Sequence, residues 1–437
     1  MIVDFAKDFS SPEYKRSRVS YIAFVLFEYF ILLLASDAFL AKLLSSVGFK
    51  DSEIGVLSSV ISLAFVFQLF SLLLSRKRGS KRTLILVFNT IGLMLFFALY
   101  ALPFIDMDAR LRRVLVYVFL IGAYISKYLV NGFRFQWANS YVHPNRRATF
   151  AATMEIVSLV GGVIFSLSMG AAFNRFEEAG NLSGGFLFLA VVILISNIVS
   201  FFCLLLIKRE KVEIPKEEPQ KRLSDILKNT LGNKKFRYLV VIAILWQAAQ
   251  YFTVGFMGTF KTDTLGNGLA MSMLTVQVIS IASYILRVPF TYWFGKYSDR
   301  HSFASGFYLS MFIGVAAFLC NVFTTEKTWY LVIGFTVLYG ISQAGNGQNA
   351  MNMIYSYVDS DYIAEAIAVQ NCIGGVCGFL CSLLASVILE AVQNAGNTFL
   401  GIPMFGQQLL GLISALLCVG CIVYIRLTIM KEKVIKQ

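Results

Sequence analysis

The sequence predicts an all-α membrane protein in which twelve transmembrane helices form two pseudo-symmetric bundles of six. Three observations predict this fold: an apolar composition, twelve long apolar runs and a weak internal repeat. Of the 437 residues, 57% are hydrophobic and 14% are charged, and the mean hydropathy is +0.70. Because soluble domains carry about 25% charged residues, this chain is expected to lie largely in lipid.

The apolar runs contain about 20 to 30 residues each, and a helix needs about 20 residues to cross the hydrocarbon core of a bilayer. The runs are continuous rather than alternating, which excludes barrel strands and leaves helices as the structure that lipid permits. We predict the helices at residues 19–44, 53–75, 83–105, 113–142, 147–173, 184–207, 238–262, 269–295, 302–324, 328–358, 362–392 and 404–427.

The basic residues predict the orientation of the chain. With the N-terminus inside, the cytosolic segments hold 27 of the 38 Lys and Arg residues, and the opposite loops and adjoining helix ends hold 8. The remaining three, Lys127, Arg134 and Arg287, lie within predicted helices. The positive-inside rule therefore predicts a multi-pass protein of the plasma (inner) membrane with both termini in the cytoplasm. Since topology explains the net charge of +13, no nucleic-acid partner is expected.

A charged stretch divides the chain into two halves. Residues 208–237 combine mixed charge with two prolines, which is typical of a cytosolic linker. We therefore predict an N-terminal six-helix bundle at residues 1–207 and a C-terminal six-helix bundle at residues 238–437.

The two halves repeat weakly in sequence. Ile125-Ser126-Lys127 matches Ile341-Ser342-Gln343 at a shift of 216 residues, and Glu28 matches Gln247 at a shift of 219. A shift near half the chain length, kept across several helices, predicts duplicated bundles. Duplicated bundles are typical of transporters, which bind their substrate near the middle of the membrane.

The loop after the eighth predicted helix reads FGKYSDR and contains Gly295, Asp299 and Arg300. It resembles the G-x-x-x-D-R loop motif of the major facilitator superfamily. The first-half loop, SRKRGSKR at residues 75–82, has the basic residues of that motif but no aspartate. The resemblance implies a twelve-helix fold, a gating role for Gly295, Asp299 and Arg300, and a central cavity lined by the first, fourth, seventh and tenth helices.

Charged residues within the predicted helices are the first candidates for a site. Lys127, Asn131 and Arg134 are spaced so that one helix presents them from the same side. A charge within the membrane costs about 2.5 kcal/mol or more and needs a partner. Counting residues from the helix ends places Glu155 at the depth of Arg134, which predicts an Arg134–Glu155 ion pair, either structural or in contact with the substrate.

Glu28 lies at the depth of Lys127, near the middle of the first predicted helix. If both helices line a cavity, as the resemblance implies, Glu28 and Lys127 face each other and contact the solute. Glu28 is also our candidate proton acceptor.

The second half offers amides where the first half has charges. Candidate substrate contacts there are Gln247, Gln250, Gln343, Asn346 and Asn349. Secondary candidates across the whole chain are Asp37, Arg134, Glu155, Arg287 and Asn371.

The predicted function is secondary active transport. The sequence has no Gly-rich phosphate-binding loop, so ATP is not expected as the direct energy source. We predict a monomeric symporter that moves a small polar organic solute, anionic or hydroxyl-rich, by alternating access, with protons as the coupling ion. No cofactor or metal is expected, since the two histidines, His143 and His301, lie in predicted loops.

Other functions stay open from the sequence. A multidrug efflux antiporter is one, although the fifth predicted helix, with SLVGGVIFSLSMG, lacks the proline of the efflux motif. An amphipathic lipid flippase is another. A non-transporting sensor or a membrane enzyme is a remote alternative, because the sequence shows neither a signalling appendage nor a catalytic constellation.

Overall fold

The computed structural model of the protein describes residues 11–74, 81–143, 147–208, 223–358 and 362–432. These residues are almost entirely helical. The helices are α1 (Pro12–Leu34), α2 (Asp37–Ser46), α3 (Asp51–Ser58), α4 (Val60–Leu74), α5 (Lys81–Ala101), α6 (Ala109–Ser140), α7 (Arg147–Glu178), α8 (Leu182–Leu206), α9 (Leu223–Gly232), α10 (Lys234–Thr253), α11 (Met257–Thr262), α12 (Met273–Arg300), α13 (Phe303–Val322), α14 (Leu331–Tyr357), α15 (Ile363–Asn394) and α16 (Gly406–Leu427). Two short antiparallel strands, β1 (Thr398–Phe399) and β2 (Ile402–Pro403), precede α16.

Ten segments among the described residues are long and apolar enough to cross a membrane. The two remaining predicted membrane helices correspond to α3 with α4, which are separated at Ser59, and to the amide-rich α14. The prediction of an all-α membrane protein is therefore confirmed, and the helix positions are consistent with twelve crossings.

Three predicted helices are broken in the structure. The first is divided into α1 and α2 because Asp37 has a φ of 46°, in the left-handed region where a right-handed helix cannot continue. The second is interrupted at Ser59, and the seventh by a short 3-10 turn between α10 and α11. The apolar pattern does not reveal these breaks, because it records burial in lipid but not backbone angles.

Polar side chains fix the starts of four helices. Asn181, Asn233, Ser272 and Ser302 each accept a hydrogen bond from a backbone N–H in the first turn of α8, α10, α12 and α13 respectively. Such caps satisfy backbone donors that have no partner within the helix. An unpaired backbone N–H is costly near lipid.

The chain forms two compact units. Unit 1 contains residues 1–36 and 70–218, and unit 2 contains residues 37–69 and 219–437. In unit 1, α1 packs against α7 and α8, and α5 packs against α6 and α8. Part of the predicted linker, residues 209–222, lies outside the described residues.

In unit 2, α14 packs between α12 and α13, while α10 packs against α15 and α16. Its apolar core includes Phe236, Phe307, Met311 and Phe318. The helices α2 and α3 come early in the chain, yet they pack against α11 and α15 of this unit.

Four glycines make that packing possible, and we call them the glycine seam: Gly55, Gly255, Gly258 and Gly375. A Cβ atom on Gly55 would lie 2.0 Å from the ring of Phe256. A Cβ atom on Gly375 would lie 2.2 Å from the carbonyl oxygen of Ser62. Only residues without a side chain allow the backbones to approach so closely.

Candidate functional site

An ion pair between α1 and α6 lies in the interior of unit 1. Nη1 of Arg134 donates to Oε1 of Glu28 at 2.5 Å, and Nη2 donates to Oε2 at 2.7 Å. Both residues are buried, with 3% of Glu28 and 6% of Arg134 exposed. Two parallel, charge-assisted hydrogen bonds are the strongest geometry that a guanidinium and a carboxylate can adopt.

Lys127 is the third member of this cluster, two helical turns before Arg134 on the same side of α6. Its Nζ lies 3.8 Å from Oε1 of Glu28, and 14% of its side chain is exposed, compared with 4% for that of Glu28. We define Glu28, Lys127 and Arg134 as the charged cluster. With two cations and one carboxylate, it carries a formal charge of +1, and Lys127 is its most accessible member.

Further side chains hold Arg134 in position. Nη1 of Arg134 also lies 3.4 Å from Oδ1 of Asn89 on α5, and its guanidinium carbon lies 5.1 Å from the ring centroid of Phe24. The hydroxyl of Tyr21 donates to the Arg134 carbonyl at 3.5 Å. We did not predict Asn89, although a buried amide within an apolar helix is a visible signal. Asn131 lies half-buried on α6, one turn from Lys127.

The predicted Arg134–Glu155 ion pair is not formed. Glu155 is exposed on α7, and Arg134 pairs with Glu28 instead. The prediction relied on depth alone, but α7 packs against α1 and α8, whereas α6 packs chiefly against α5. Equal depth on consecutive helices therefore does not make the two side chains neighbours.

A cavity of about 240 Å³ lies within unit 2, between α10, α13, α14 and α15. We call it the amide cavity because five amide side chains line it: Gln247, Gln343, Asn346, Gln370 and Asn371. Four of these residues were predicted from the sequence, and the structure brings them together. Gln370 and Trp246 were missed. Gln370, an amide within an apolar helix, is a signal that the sequence does show, whereas nothing in a single sequence distinguishes the helix face of Trp246 from a face turned to lipid.

Two of the cavity amides already have protein partners. Nε2 of Gln343 donates to Oε1 of Gln250 at 3.3 Å and to the hydroxyl of Tyr339 at 2.5 Å. Oδ1 of Asn346 accepts from the hydroxyl of Ser310 at 2.5 Å. These bonds fix the shape of the cavity wall.

Other predicted residues lie away from the cavity lining. Asn349 is fully buried between α12 and α14, where it accepts from Ser298 at 2.6 Å. Gly295 lies at the contact between α12 and α14, where a Cβ atom would be 3.1 Å from Nε2 at the end of the Gln348 side chain. Asp299 and Arg300 are exposed at the end of α12, and Arg287 is half-buried on the same helix. Most of the first-half loop, residues 75–80, lies outside the described residues.

Asp37 is paired with a residue that sequence reasoning missed. Nζ of Lys261, which is only 4% exposed, lies 3.2 Å and 3.5 Å from the two carboxylate oxygens of Asp37. Near the start of α3, Nε2 of Gln393 donates to Asp51 at 2.9 Å. Burial, followed by the nearby carboxylate of Asp263, raises the pKa of Asp51 to about 6. Like the glycine seam, these polar contacts join residues 37–69 to later helices of unit 2.

The described residues contain no group of three or more His, Cys, Asp or Glu side chains that could hold a metal ion. The charged cluster can neutralise an anionic group, and the amide cavity can form neutral hydrogen bonds.

Comparison with known proteins identifies the fold. The family model described as Major Facilitator Superfamily matches residues 19–382, while no curated protein matches the chain. The chain is similar to the solved structure of a variant of the nucleoside transporter NupG, with 14% identity, a TM-score of 0.73 and coverage of 95% of this chain and 100% of that chain.

Two further solved structures are similar. One is a bacterial homologue of the human lysosomal transporter Spinster in an inward-facing, unoccupied conformation, with 14% identity, a TM-score of 0.70 and coverage of 96% and 97%. The other is a bacterial metal transporter, with 12% identity, a TM-score of 0.60 and coverage of 95% and 98%. At these identities the likeness shows the fold alone.

Proposed function

Because this chain belongs to the major facilitator superfamily, and is accordingly an integral membrane transporter rather than an enzyme, we propose that it moves a small polar organic solute by secondary active transport. The solute carries an anionic or hydroxyl-rich group. The observation that carries this proposal is the unbalanced positive charge of the charged cluster, which is presented by Lys127.

The two cations of the cluster share Glu28 unequally. Arg134 occupies both carboxylate oxygens of Glu28, whereas Lys127 approaches one of them at 3.8 Å. Lys127 is thus the cation that an incoming anionic group can reach and balance. Two opposite unit charges 4 Å apart attract by about 4 kcal/mol at an effective dielectric constant of 20, before desolvation is subtracted. A carboxylate or phosphate is therefore favoured at this position.

We propose that protons are the coupling ion and that Glu28 accepts the proton. When a solute anion draws Lys127 away, Glu28 loses one of its two cations and binds a proton more readily. Protonation in turn weakens the hold of Glu28 on Lys127, which links proton binding to solute binding. This linkage is what symport by alternating access requires. We propose that the transporter is a monomer in the plasma (inner) membrane with both termini in the cytoplasm, as the distribution of basic residues predicts.

A thermal-shift screen of the purified protein tests the solute class. We expect organic acids to raise the melting temperature of the parent protein and to have little effect on Lys127→Gln. Lys50→Gln serves as the control, because Lys50 is an exposed lysine outside the charged cluster. Equal stabilisation of all three proteins by the same acid would remove Lys127 from the site.

Proteoliposome uptake tests the coupling. Uptake driven by a pH gradient should be lost in Glu28→Gln, while exchange of solute across the membrane without a gradient persists. Unchanged dependence of uptake on the pH gradient in Glu28→Gln would exclude Glu28 as the coupling residue.

A further inference from the structure

The amide cavity differs from the charged cluster in lacking formal charge. All 15 residues that line it are uncharged. An ionised group that entered this cavity would lose its hydration without meeting a counter-charge, at a cost of several kcal/mol. The lining therefore selects neutral ligands, which is a different chemistry from that of Lys127.

One lining residue has hydrogen-bonding capacity that the protein does not use. Gln370 on α15 is 9% exposed, and its Oε1 is buried without a hydrogen-bond partner among the described residues. Buried acceptors are normally paired, since an unpaired one costs about 1–3 kcal/mol. Gln370 was not among the residues predicted from the sequence. Because Gln370 lines the amide cavity, its unused acceptor points to a ligand that donates a hydrogen bond.

A second amide lies beside Gln370. Gly374 follows Gln370 by one helical turn, so the two share a face of α15. The Cγ atom of Gln247 on α10 lies 3.2 Å from where a Cβ atom of Gly374 would be. Gln247 and Gln370 therefore border the same part of the cavity. Each carboxamide offers a donor and an acceptor side by side, and such groups pair best with a ligand edge that offers the complementary pair.

Aromatic rings and the cavity size limit the shape of the ligand. Trp246 and Phe307 line the cavity, and Trp246 is stacked on Tyr339 with ring centroids 6.3 Å apart and planes 21° apart. A fixed indole is a suitable wall for a flat ring. The volume of about 240 Å³ falls below the roughly 300–1,000 Å³ of pockets for drug-sized ligands. One or two rings fit this space better than a larger molecule.

We propose that the amide cavity binds a neutral planar group that presents a hydrogen-bond donor and acceptor side by side, such as a carboxamide or the lactam edge of a heterocycle, with Gln370 and Gln247 as the recognising residues. This rests on the proposed transport function and deepens it by naming the neutral ligand group that unit 2 recognises. Gln343 and Asn346, already bonded within the protein, shape the cavity.

The test measures binding rather than transport, so its result is independent of the coupling mechanism. The probes are nicotinamide and uracil, which carry the proposed edge, against nicotinate and glucose. Nicotinamide and nicotinate share the same ring, but nicotinamide carries an amide where nicotinate carries a carboxylate. Affinity is measured by calorimetry on the solubilised full-length protein, with Gln370→Leu and Gln247→Leu as variants. Gln277→Leu is the matched control, because Gln277 is a buried glutamine of unit 2 outside the cavity lining.

We expect millimolar or better binding of nicotinamide or uracil, and at least about ten-fold weaker binding to Gln370→Leu but not to Gln277→Leu. Gln370→Glu provides a second variant, which keeps the size of the side chain but removes its N–H donor and adds a charge, and should also lose the neutral probes. Size-exclusion profiles establish that each variant is folded.

Two results overturn the inference. One is that neither neutral probe binds, or that both bind at least about 10-fold more weakly than nicotinate or glucose. The other is binding of the neutral probes that is unchanged in both Gln370 variants. Binding of nicotinate alone, abolished by Lys127→Gln, would uphold the proposed function while refuting the assignment of the amide cavity.

Discussion

Removal of the carboxylate of Glu28 should destabilise the protein strongly. The substitution Glu28→Gln leaves Arg134 and Lys127 as two cations with side chains only 8% and 14% exposed. It converts a cluster of charge +1 into one of charge +2 at nearly unchanged side-chain volume. Breaking a buried pair by removing one partner typically costs about 3–5 kcal/mol, since the remaining charge stays buried without compensation.

The cost can be measured as a loss of thermal stability in detergent. We expect the melting temperature of Glu28→Gln to fall by roughly 5–10 °C at pH 7. Glu155→Gln is the matched control, because it removes the same group from an exposed position on α7. Its effect should stay within about 0.5 kcal/mol, as expected for a surface substitution.

A double-mutant cycle separates the two possible partners of Arg134. Combining Arg134→Gln with Glu28→Gln should cost less than the sum of the single losses, with an interaction energy of about 1.5–3 kcal/mol. Arg134→Gln combined with Glu155→Gln should be additive. Strong coupling of Arg134 to Glu155, or equal melting temperatures for Glu28→Gln and Glu155→Gln, would refute the assignment of the ion pair.

Three further predictions concern unit 2. The raised pKa of Asp51, about 6, means that the folded state binds its proton more tightly than the unfolded chain. Its contribution is therefore fully present below about pH 4 and is lost as pH rises to 6, by up to about 3 kcal/mol before solvent screening. Thermal stability should fall less between pH 5 and 7.5 in Asp51→Asn than in the parent. Gly55→Ala should lower the free energy of unfolding by about 1–3 kcal/mol, because the ring of Phe256 must move. Gly420→Ala is the control and should not lower it, because the space around Gly420 is open. Equal melting temperatures of the two variants would contradict the packing argument. Lys50→Ala should change stability by about 0.5 kcal/mol or less, since its ion pair is 67% and 40% exposed, and a larger loss in the same assay would show that the pair is better ordered than its exposure indicates.

The part of the candidate site that depends only on depth in the membrane could be predicted from the sequence. Depth along a membrane helix follows from residue number at 1.5 Å per residue, so the order of the residues suffices to place Glu28 and Lys127 at one level. The partner of Arg134 could not be deduced in the same way. It depends on which helices are neighbours and how each is rotated, and the packing of side chains decides both.

The neutral polar groups of unit 2 were likewise predictable only in part. The amides of α14 were visible in the sequence because polar residues are rare in membrane helices. The division of the amides of unit 2 into wall-forming residues such as Asn346, a packing residue such as Asn349 and the free acceptor of Gln370 on α15 was not visible. It requires knowing whether each amide has a hydrogen-bond partner on another helix, as Asn346 and Asn349 do.

The sequence by itself determined that this protein is an all-α membrane protein, because the length of its apolar runs is a property of the chain alone, and its FGKYSDR loop pointed to a transporter superfamily. It also determined which charges had to find partners within the membrane. Only the tertiary structure decided that Glu28 joins Arg134 and that residues 37–69 pack with unit 2 through the glycine seam. The physical reason is that charge pairing and close backbone approach act between residues separated by 106 positions or more, and nothing in the order of the residues records such distances.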